Sequence, residues 1–475
     1  MRTSLIVALL LCACSGGTPV DAPRASSGAA SGSVAATGSS ADSAGAEWTQ
    51  YGHDPSNTRT NPTGTMITAA NVSTLAKSWE VDGLVGVSGT PAIAGDTAYF
   101  GDWNGTVWAV HLDTGQELWH TPIAGGFIVA APTVTDDAVF IADGHTLYRL
   151  DRATGAIQWQ AVTNESPLAQ INASPVVVDD LVLQGTASIQ DAVGAADQVF
   201  RGSLGAYDLA SGQEKWRFYA TNGDATGGSG VGIWSTPAID TRRGLLFVGT
   251  GNTSSEPTAP LADSLLAIDY KTGALKWSTQ FTPIDVFPNG SPVGKDVDVG
   301  ASPNLWTSNG RDFVGVGDKG GVYHALDRDT GKVAWQTPLT PGGFFGGIIG
   351  SASFVDGELV IPSNGGELST NTPTNVARVF ALDPATGSIK WTSADFPGMI
   401  FAPVSSVPGV AFVGTDQGTM AALDSGTGKQ LWSFAAPNKT ACGPSIVGNR
   451  LVWGYGFFLF GGGGPGGVIS FTVPP

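Results

Sequence analysis

Basic residues, cysteine and helical periodicity are all scarce in this sequence, and each shortage excludes something. Of its 475 residues 23 are Lys or Arg against 40 Asp or Glu, a formal net charge of −17. A nucleic-acid binder needs a basic face to displace counterions from phosphate, so that class is excluded. Cysteine occurs three times, at Cys12, Cys14 and Cys442. The first two sit in a targeting segment, which leaves one lone thiol for the folded part and no disulfide within a chain. No C-x-x-C-H is present, so there is no covalently attached c-type haem. Apolar residues rarely recur at helical spacing, and no apolar run is long enough to span a bilayer.

Arg2 followed by the apolar run Leu5 to Leu11 has the proportions of a secretory signal. The adjoining Leu11-Cys12-Ala13-Cys14 resembles the lipobox of bacterial lipoproteins. That resemblance implies cleavage after residue 13 and lipidation of Cys14, with membrane contact through the lipid alone. Residues 14–47 are a Ser/Gly/Ala-rich flexible tether whose composition cannot build a core and whose root-mean-square reach is about 30 Å. The expected location is the cell envelope, on the periplasmic side of the outer membrane or at the cell surface.

Gly (67) and Trp (14) are abundant instead, as short strands joined by tight turns require. Eight tryptophans recur at Trp79, Trp119, Trp159, Trp216, Trp277, Trp335, Trp391 and Trp432, at intervals of 40 to 61 residues. A glycine precedes each of the last seven by four positions, and six of those units read D-x-x-[ST]-G, beginning at Asp151, Asp208, Asp269, Asp327, Asp383 and Asp424. His111 takes the Asp position in the remaining unit. An Asp that caps a turn and a Gly that accepts a left-handed conformation make a bulged hairpin, with Trp on the strand that follows. Two further apolar runs precede each hairpin, so one unit is four strands, A to D. Radial repetition of such units gives an all-β, eight-bladed propeller over residues 48–475. The C-terminal segment supplies only A, B and C, and Leu75 to Val81 supplies an unpartnered D. The first strand is therefore expected to complete the last blade.

The A-x-D-x-x-T-G-x-x-x-W unit resembles the tryptophan-docking repeat of the pyrroloquinoline quinone (PQQ) propellers. The opening Trp48-Thr-Gln-Tyr-Gly-His-Asp is similar to the start of their alcohol and polyvinyl alcohol dehydrogenases. In a four-stranded blade the D–A and B–C loops share one face, here called upper. The insertions at 186–202, 253–263 and 278–301 fall on it.

Five upper-loop residues match positions in the quinoprotein dehydrogenases. Trp234, eighteen residues before Asn252, resembles the floor under the PQQ ring. Asn252 and Asp197 resemble the amide and carboxylate ligands of the calcium ion, a cation that takes several oxygens. Asp298 resembles the catalytic base and adds a carboxylate at the metal, with Asp285 and Asp296 competing for the role of base. Lys319 matches the basic residue at the quinone oxygens.

The sequence departs from the family's better known alcohol dehydrogenases around Gly125-Gly-Phe-Ile-Val-Ala-Ala-Pro, where an adjacent cysteine pair and a following Arg are missing. Ser88 stands where many relatives carry Glu, and Ser88, Phe127 and Asn172 are expected to line the pocket. The implied activity is oxidation of a small or polymeric alcohol, with electrons passed to a separate acceptor such as a cytochrome c. Two rivals share the repeats: a scaffold resembling the propeller lipoprotein of the outer-membrane barrel-assembly machinery, and a carbohydrate or polymer binder. Cys14→Ser is expected to move the protein from the membrane to the soluble fraction on cell fractionation; unchanged membrane association would contradict the lipid anchor.

Overall fold

Each D-x-x-[ST]-G hairpin does two jobs, one inside its blade and one towards the blade before it. At Asp327, Oδ1 accepts the Thr330 N–H at 3.0 Å and the Thr330 hydroxyl at 2.8 Å, while Gly331 sits at φ +69°. The ladder slips by one residue between Ala325 and Leu326, so Trp335 lies opposite the small Ala325. The glycine is required for a second reason: a Cβ at Gly331 would fall 2.5 Å from the indole of Trp277 in the preceding blade.

The stacked indole also donates a hydrogen bond to the turn it covers. Trp79 Nε1 reaches Leu112 O (2.7 Å), Trp119 reaches Arg152 O (3.1 Å) and Trp159 reaches Leu209 O (3.2 Å). Trp216, Trp277, Trp335 and Trp391 continue the series to Tyr270, Arg328, Pro384 and Ser425. Trp432 closes it on Leu75 O at 3.1 Å.

In the computed structural model the described residues are 47–123, 126–189, 200–222, 228–287, 296–343, 345–367, 372–456 and 465–474. The lipobox with Cys14, the tether and Asp197 lie outside them. Eight antiparallel blades follow one another in chain order. Blade 1 is Ala92–Ala94, Thr97–Gly101, Thr106–His111 and Glu117–Pro122. Blade 4 is Ala238–Asp240, Leu245–Gly249, Ser264–Asp269 and Leu275–Gln280. Blade 5 is Asn304–Ser308, Arg311–Gly317, Val322–Asp327 and Val333–Pro338. The A strands of blades 2, 3, 6 and 7 are Thr133–Val134, Val176–Val178, Ser353–Val355 and Ser405–Val407.

Blade 8 closes as the sequence implies. Its A, B and C strands are Ser445–Val447, Arg450–Tyr455 and Gly466–Thr472, and Ala76–Leu84 supplies D with Trp79 opposite Ser470. Among the described residues the only helix is the three-residue 3-10 turn Val72–Thr74.

Residues 48–66 lie outside the eight blades. The innermost strands would leave unpaired backbone edges along the axis, an exposed row that folds must cover. A thread from Trp48 to Met66 does so, bonding in turn to Ile93 of blade 1, Val134 of blade 2, Ile239 of blade 4, Leu305 of blade 5, Phe354 of blade 6 and Ser406 of blade 7. It ends beside blade 8 at Gly448. Arg59 of this thread is fully buried, with Nε on Val404 O (2.8 Å), Nη2 on Ser405 Oγ (2.7 Å) and its guanidinium 4.6 Å from the Tyr51 ring centre. The backbone of the thread pairs with residues within or just beyond the A strands and not with the loops before them, which puts the D–A and B–C loops at the upper mouth of the axis.

Gly331→Ala places a methyl group inside the Trp277 ring at a left-handed backbone position. It is expected to destabilise the propeller by about 2 kcal/mol or more, measured by urea unfolding; a change below about 0.5 kcal/mol would remove the docking account.

Candidate active site

The site forms where the D–A connection and the B–C loop of blade 4 meet the D–A connection and the B–C loop of blade 5. Backbone bonds lock the four together. Gly251 donates to Gly232 O (2.9 Å), Val299 donates to Thr250 O (3.0 Å) and Lys319 donates to Asp298 O (3.0 Å).

Trp234 lies between the buried Ile233 and Ser235, four residues before the A strand of blade 4, and is itself half-buried. Its ring leans on the backbone of blade 5: a Cβ at Gly300 would come 1.8 Å from Trp234 Cη2. Glycine at 300 thus lets a flat indole lie across the neighbouring connection. Lys319 Nζ stands 5.6 Å from the ring centre, within cation–π range.

Four of the five residues predicted from sequence come together here, the fifth being Asp197. Lys319 Nζ pairs with Asp298 Oδ2 at 2.7 Å and Asp296 Oδ1 at 3.0 Å. Asp298 Oδ1 accepts the Asn252 backbone N–H at 2.5 Å. The Asn252 amide nitrogen donates to Thr253 O (3.0 Å) and Phe287 O (3.3 Å), which leaves its carbonyl oxygen as the donor for a cation. Asp285, the other competitor for the base, accepts Asp296 N–H (3.3 Å) and Val297 N–H (2.9 Å) and so anchors the loop.

Asp263 was not legible in the sequence. It is fully buried, sits at φ +48°, and neither carboxylate oxygen has a hydrogen-bond partner. Burial, reinforced by the charges of Asp298, Asp285 and Asp296, pushes its pKa well above the usual carboxylate range. Asp296 is 2% exposed and also left-handed at φ +55°, with Oδ2 unpartnered. Burial raises its pKa, opposed by Lys319 and reinforced by Asp298. Burial disfavours the charge on Lys319, but Asp296 and Asp298 more than offset this and move its pKa up.

Four buried carboxyls therefore crowd one ammonium, an excess of acidic oxygens that suits a hard cation able to displace their protons. Among the described residues no three His, Cys, Asp or Glu side chains form a ready-made metal cage. A cation here would take Asn252, a carboxylate and oxygens brought by a bound cofactor. The half-buried indole, backed by glycine and flanked by Lys319, suits a flat anionic ring. The residues present fit both groups.

Asp296 holds its proton to higher pH folded than unfolded, so its contribution to stability is complete at acid pH and is lost as pH rises through its folded pKa. Lys319→Met removes the cation that offsets this. The variant should lose about 3–5 kcal/mol of stability at pH 8 and less at pH 5, as read from urea unfolding of the cofactor-free protein; equal losses at both pH values would contradict the assigned pairing.

Residues 48–341 match the family model described as glucose/ethanol/alcohol dehydrogenase, β-propeller domain, of the PQQ type, and residues 375–459 match that of the outer membrane protein assembly factor BamB. The chain is 29% identical over 450 residues to a polyvinylalcohol dehydrogenase of Pseudomonas sp, covering 85% of this chain and 70% of the relative. A polyvinylalcohol dehydrogenase of Sphingopyxis sp. is 27% identical, with 89% and 71% covered. The fold superposes on the quinohemoprotein alcohol dehydrogenase from Comamonas testosteroni with a TM-score of 0.76 at 21% identity, over 91% of this chain and 81% of that one. On the match across most of its length, the chain belongs to the PQQ β-propeller family of glucose, ethanol and alcohol dehydrogenases.

Proposed function

We propose that this protein oxidises an aliphatic alcohol, small or polymeric, with PQQ and calcium, and that the electrons leave to a separate acceptor such as a cytochrome c. The observation that carries the reading is the Trp234–Lys319–Asp296/Asp298–Asn252 cluster, an aromatic floor with a cation and unpaired buried oxygens at its rim. A scaffold or a polymer binder has no use for several carboxyls crowded round one lysine, since that crowding costs stability. The polyvinylalcohol dehydrogenases among the relatives favour a secondary alcohol as substrate.

When bound, PQQ would supply the hydride acceptor and calcium the positive charge that makes it more electrophilic. The protein supplies the rest. Trp234 holds the ring plane, and Lys319 fixes the two carboxylates and neutralises part of their charge. Asn252 and Asp298 are the described donors for the cation, with Asp197 as the further ligand implied by sequence.

The proton of the alcohol needs an acceptor. The sequence reading gives this role to Asp298, but both of its oxygens are engaged, by Asn252 N–H and by Lys319. Asp296 keeps Oδ2 without a hydrogen-bond partner, and its raised pKa makes it the stronger base once ionised, so turnover should rise as pH climbs through that pKa. Asp296 therefore has the stronger claim, and Asp298 orients Asn252 and Lys319. The chain's own share of the reaction is uptake of the hydroxyl proton at Asp296, while a bound cofactor would have to accept the hydride.

Purified protein lacking its anchor should bind PQQ in the presence of calcium and oxidise secondary alcohols with an artificial electron acceptor. Asp296→Asn should cut kcat by at least about a thousandfold with PQQ still bound, whereas Asp298→Asn should raise the calcium concentration needed for activity. The opposite pattern would return the base to Asp298, and no PQQ binding at micromolar cofactor would remove the dehydrogenase reading.

A further inference from the structure

The propeller repeat reveals what faces Lys319 across the axis. Lys319 is the second residue after Gly317, which ends the B strand of blade 5; Trp103 is the second residue after Gly101, which ends the B strand of blade 1. The two loops are built alike. Lys319 N–H donates to Asp298 O at 3.0 Å, and Trp103 N–H donates to Gly86 O at 2.9 Å. Asp298 and Gly86 each lie six residues before the A strand of their blade.

The resemblance extends to the side chains beneath. Asp318 Oδ1 accepts Val322 N–H (2.9 Å) and its Oδ2 meets His324 Nε2 (2.8 Å). Asp102 Oδ1 accepts Thr106 N–H (3.0 Å) and its Oδ2 accepts Trp108 Nε1–H (3.0 Å). Ile348 N–H donates to Asp318 O and Ile128 N–H to Asp102 O. Trp103 is thus the blade 1 counterpart of Lys319. Blades 1 and 5 are four apart in a ring of eight, so the two residues face one another across the mouth.

Trp103 is also held in place. Its indole N–H donates to Ser88 Oγ at 2.8 Å, and its ring stacks on Phe127 at 5.1 Å with 12° between the planes. Gly86 lets this arrangement close, because a Cβ there would meet Gly456 O at 2.4 Å. Both rings remain half-buried, so each keeps part of its apolar surface exposed among the upper loops. The partly exposed Val129, Ile349, Phe401 and Ala441, each four residues before an A strand, extend an apolar lining over blades 2, 6, 7 and 8. One wall of the mouth carries the charges and the other carries hydrocarbon.

We propose that Trp103 and Phe127 form the hydrocarbon subsite of the enzyme, receiving the aliphatic chain of an alcohol whose hydroxyl lies at Asp296. The inference rests on the dehydrogenase reading above and narrows its substrate class to alcohols with an extended apolar chain. A rigid stacked pair loses little side-chain entropy on binding, which favours it as a platform.

The test compares kcat/KM for 2-propanol and 2-octanol in the protein loaded with PQQ and calcium, with PQQ affinity followed separately by fluorescence titration. Burial of methylene groups predicts a gain of about fourfold for each one that reaches the subsite, so 2-octanol should exceed 2-propanol by at least about tenfold. Trp103→Ala should reduce the 2-octanol to 2-propanol ratio at least about tenfold. Phe127→Ala, a change in a half-exposed loop residue, should reduce it in the same direction if the Trp103 variant folds poorly. PQQ affinity should stay within about threefold of wild type in both.

Unchanged ratios in both variants would overturn the proposal. So would a parallel loss for both alcohols with weakened PQQ binding, which would make the pair a cofactor contact. If the wild type neither binds PQQ nor oxidises either alcohol, the dehydrogenase reading itself fails, and this inference with it.

Discussion

Everything on the upper face depends on how each tryptophan docks onto the turn of the next blade. An indole lying on a glycine and donating to the neighbouring carbonyl fixes both the distance and the rotation between blades. Seven such contacts follow one another, and the hydrogen bond from Trp432 to Leu75 O at the start of the closing strand completes the ring without a glycine. The upper loops of blades 4 and 5 can then be held to within a hydrogen-bond length of each other, as Asn252 and Asp298 are. A site spread over two blades needs that precision, because an error of 1 Å in such a constellation degrades catalysis strongly.

The charge balance carries the functional meaning of the cluster. Ion pairs kept for stability match their charges and satisfy their oxygens. Here Asp263 is buried with both oxygens unpartnered and Asp296 with one, around a single lysine. Two of these residues also hold left-handed backbone conformations, a local strain that native proteins tend to retain at functional sites. A cofactor with a cation would relieve the imbalance by supplying positive charge and ring contacts together. The aromatic wall opposite adds the complementary half, apolar where the reacting wall is polar.

How much of this was legible in the sequence follows from which residues leave a local signature. The hairpins did, because Asp, Ser/Thr, Gly and Trp must stand at fixed spacing to make a bulge and a docking surface. The closing strand did, because a lone D at one end answers a missing D at the other. The thread from Trp48 to Met66 did not, since its pairing to the inner strands runs through backbone groups that any sequence supplies. Trp234, Asn252, Asp298 and Lys319 are marked by resemblance alone, and their assembly joins residues 18 to 85 positions apart in the chain. Asp263, in an ordinary Ala-Asp-Ser, has no mark beyond its burial. The engagement of Asp298 on both oxygens and the free oxygen of Asp296 are geometric facts that spacing alone could not separate. The kinship of Trp103 and Lys319 was within reach, because Phe-Gly-Asp-Trp-Asn-Gly and Val-Gly-Asp-Lys-Gly-Gly end equivalent strands.

The central claim is that this charge-imbalanced cluster is a cofactor seat. X-ray diffraction from crystals of the protein grown with PQQ and calcium tests it most directly. The account predicts density for the ring against the exposed face of Trp234, within contact of Lys319, and a calcium ion bound by the Asn252 amide oxygen and a neighbouring carboxylate. A cofactor bound elsewhere, or a cluster unchanged and without ligand at saturating PQQ and calcium, would contradict it.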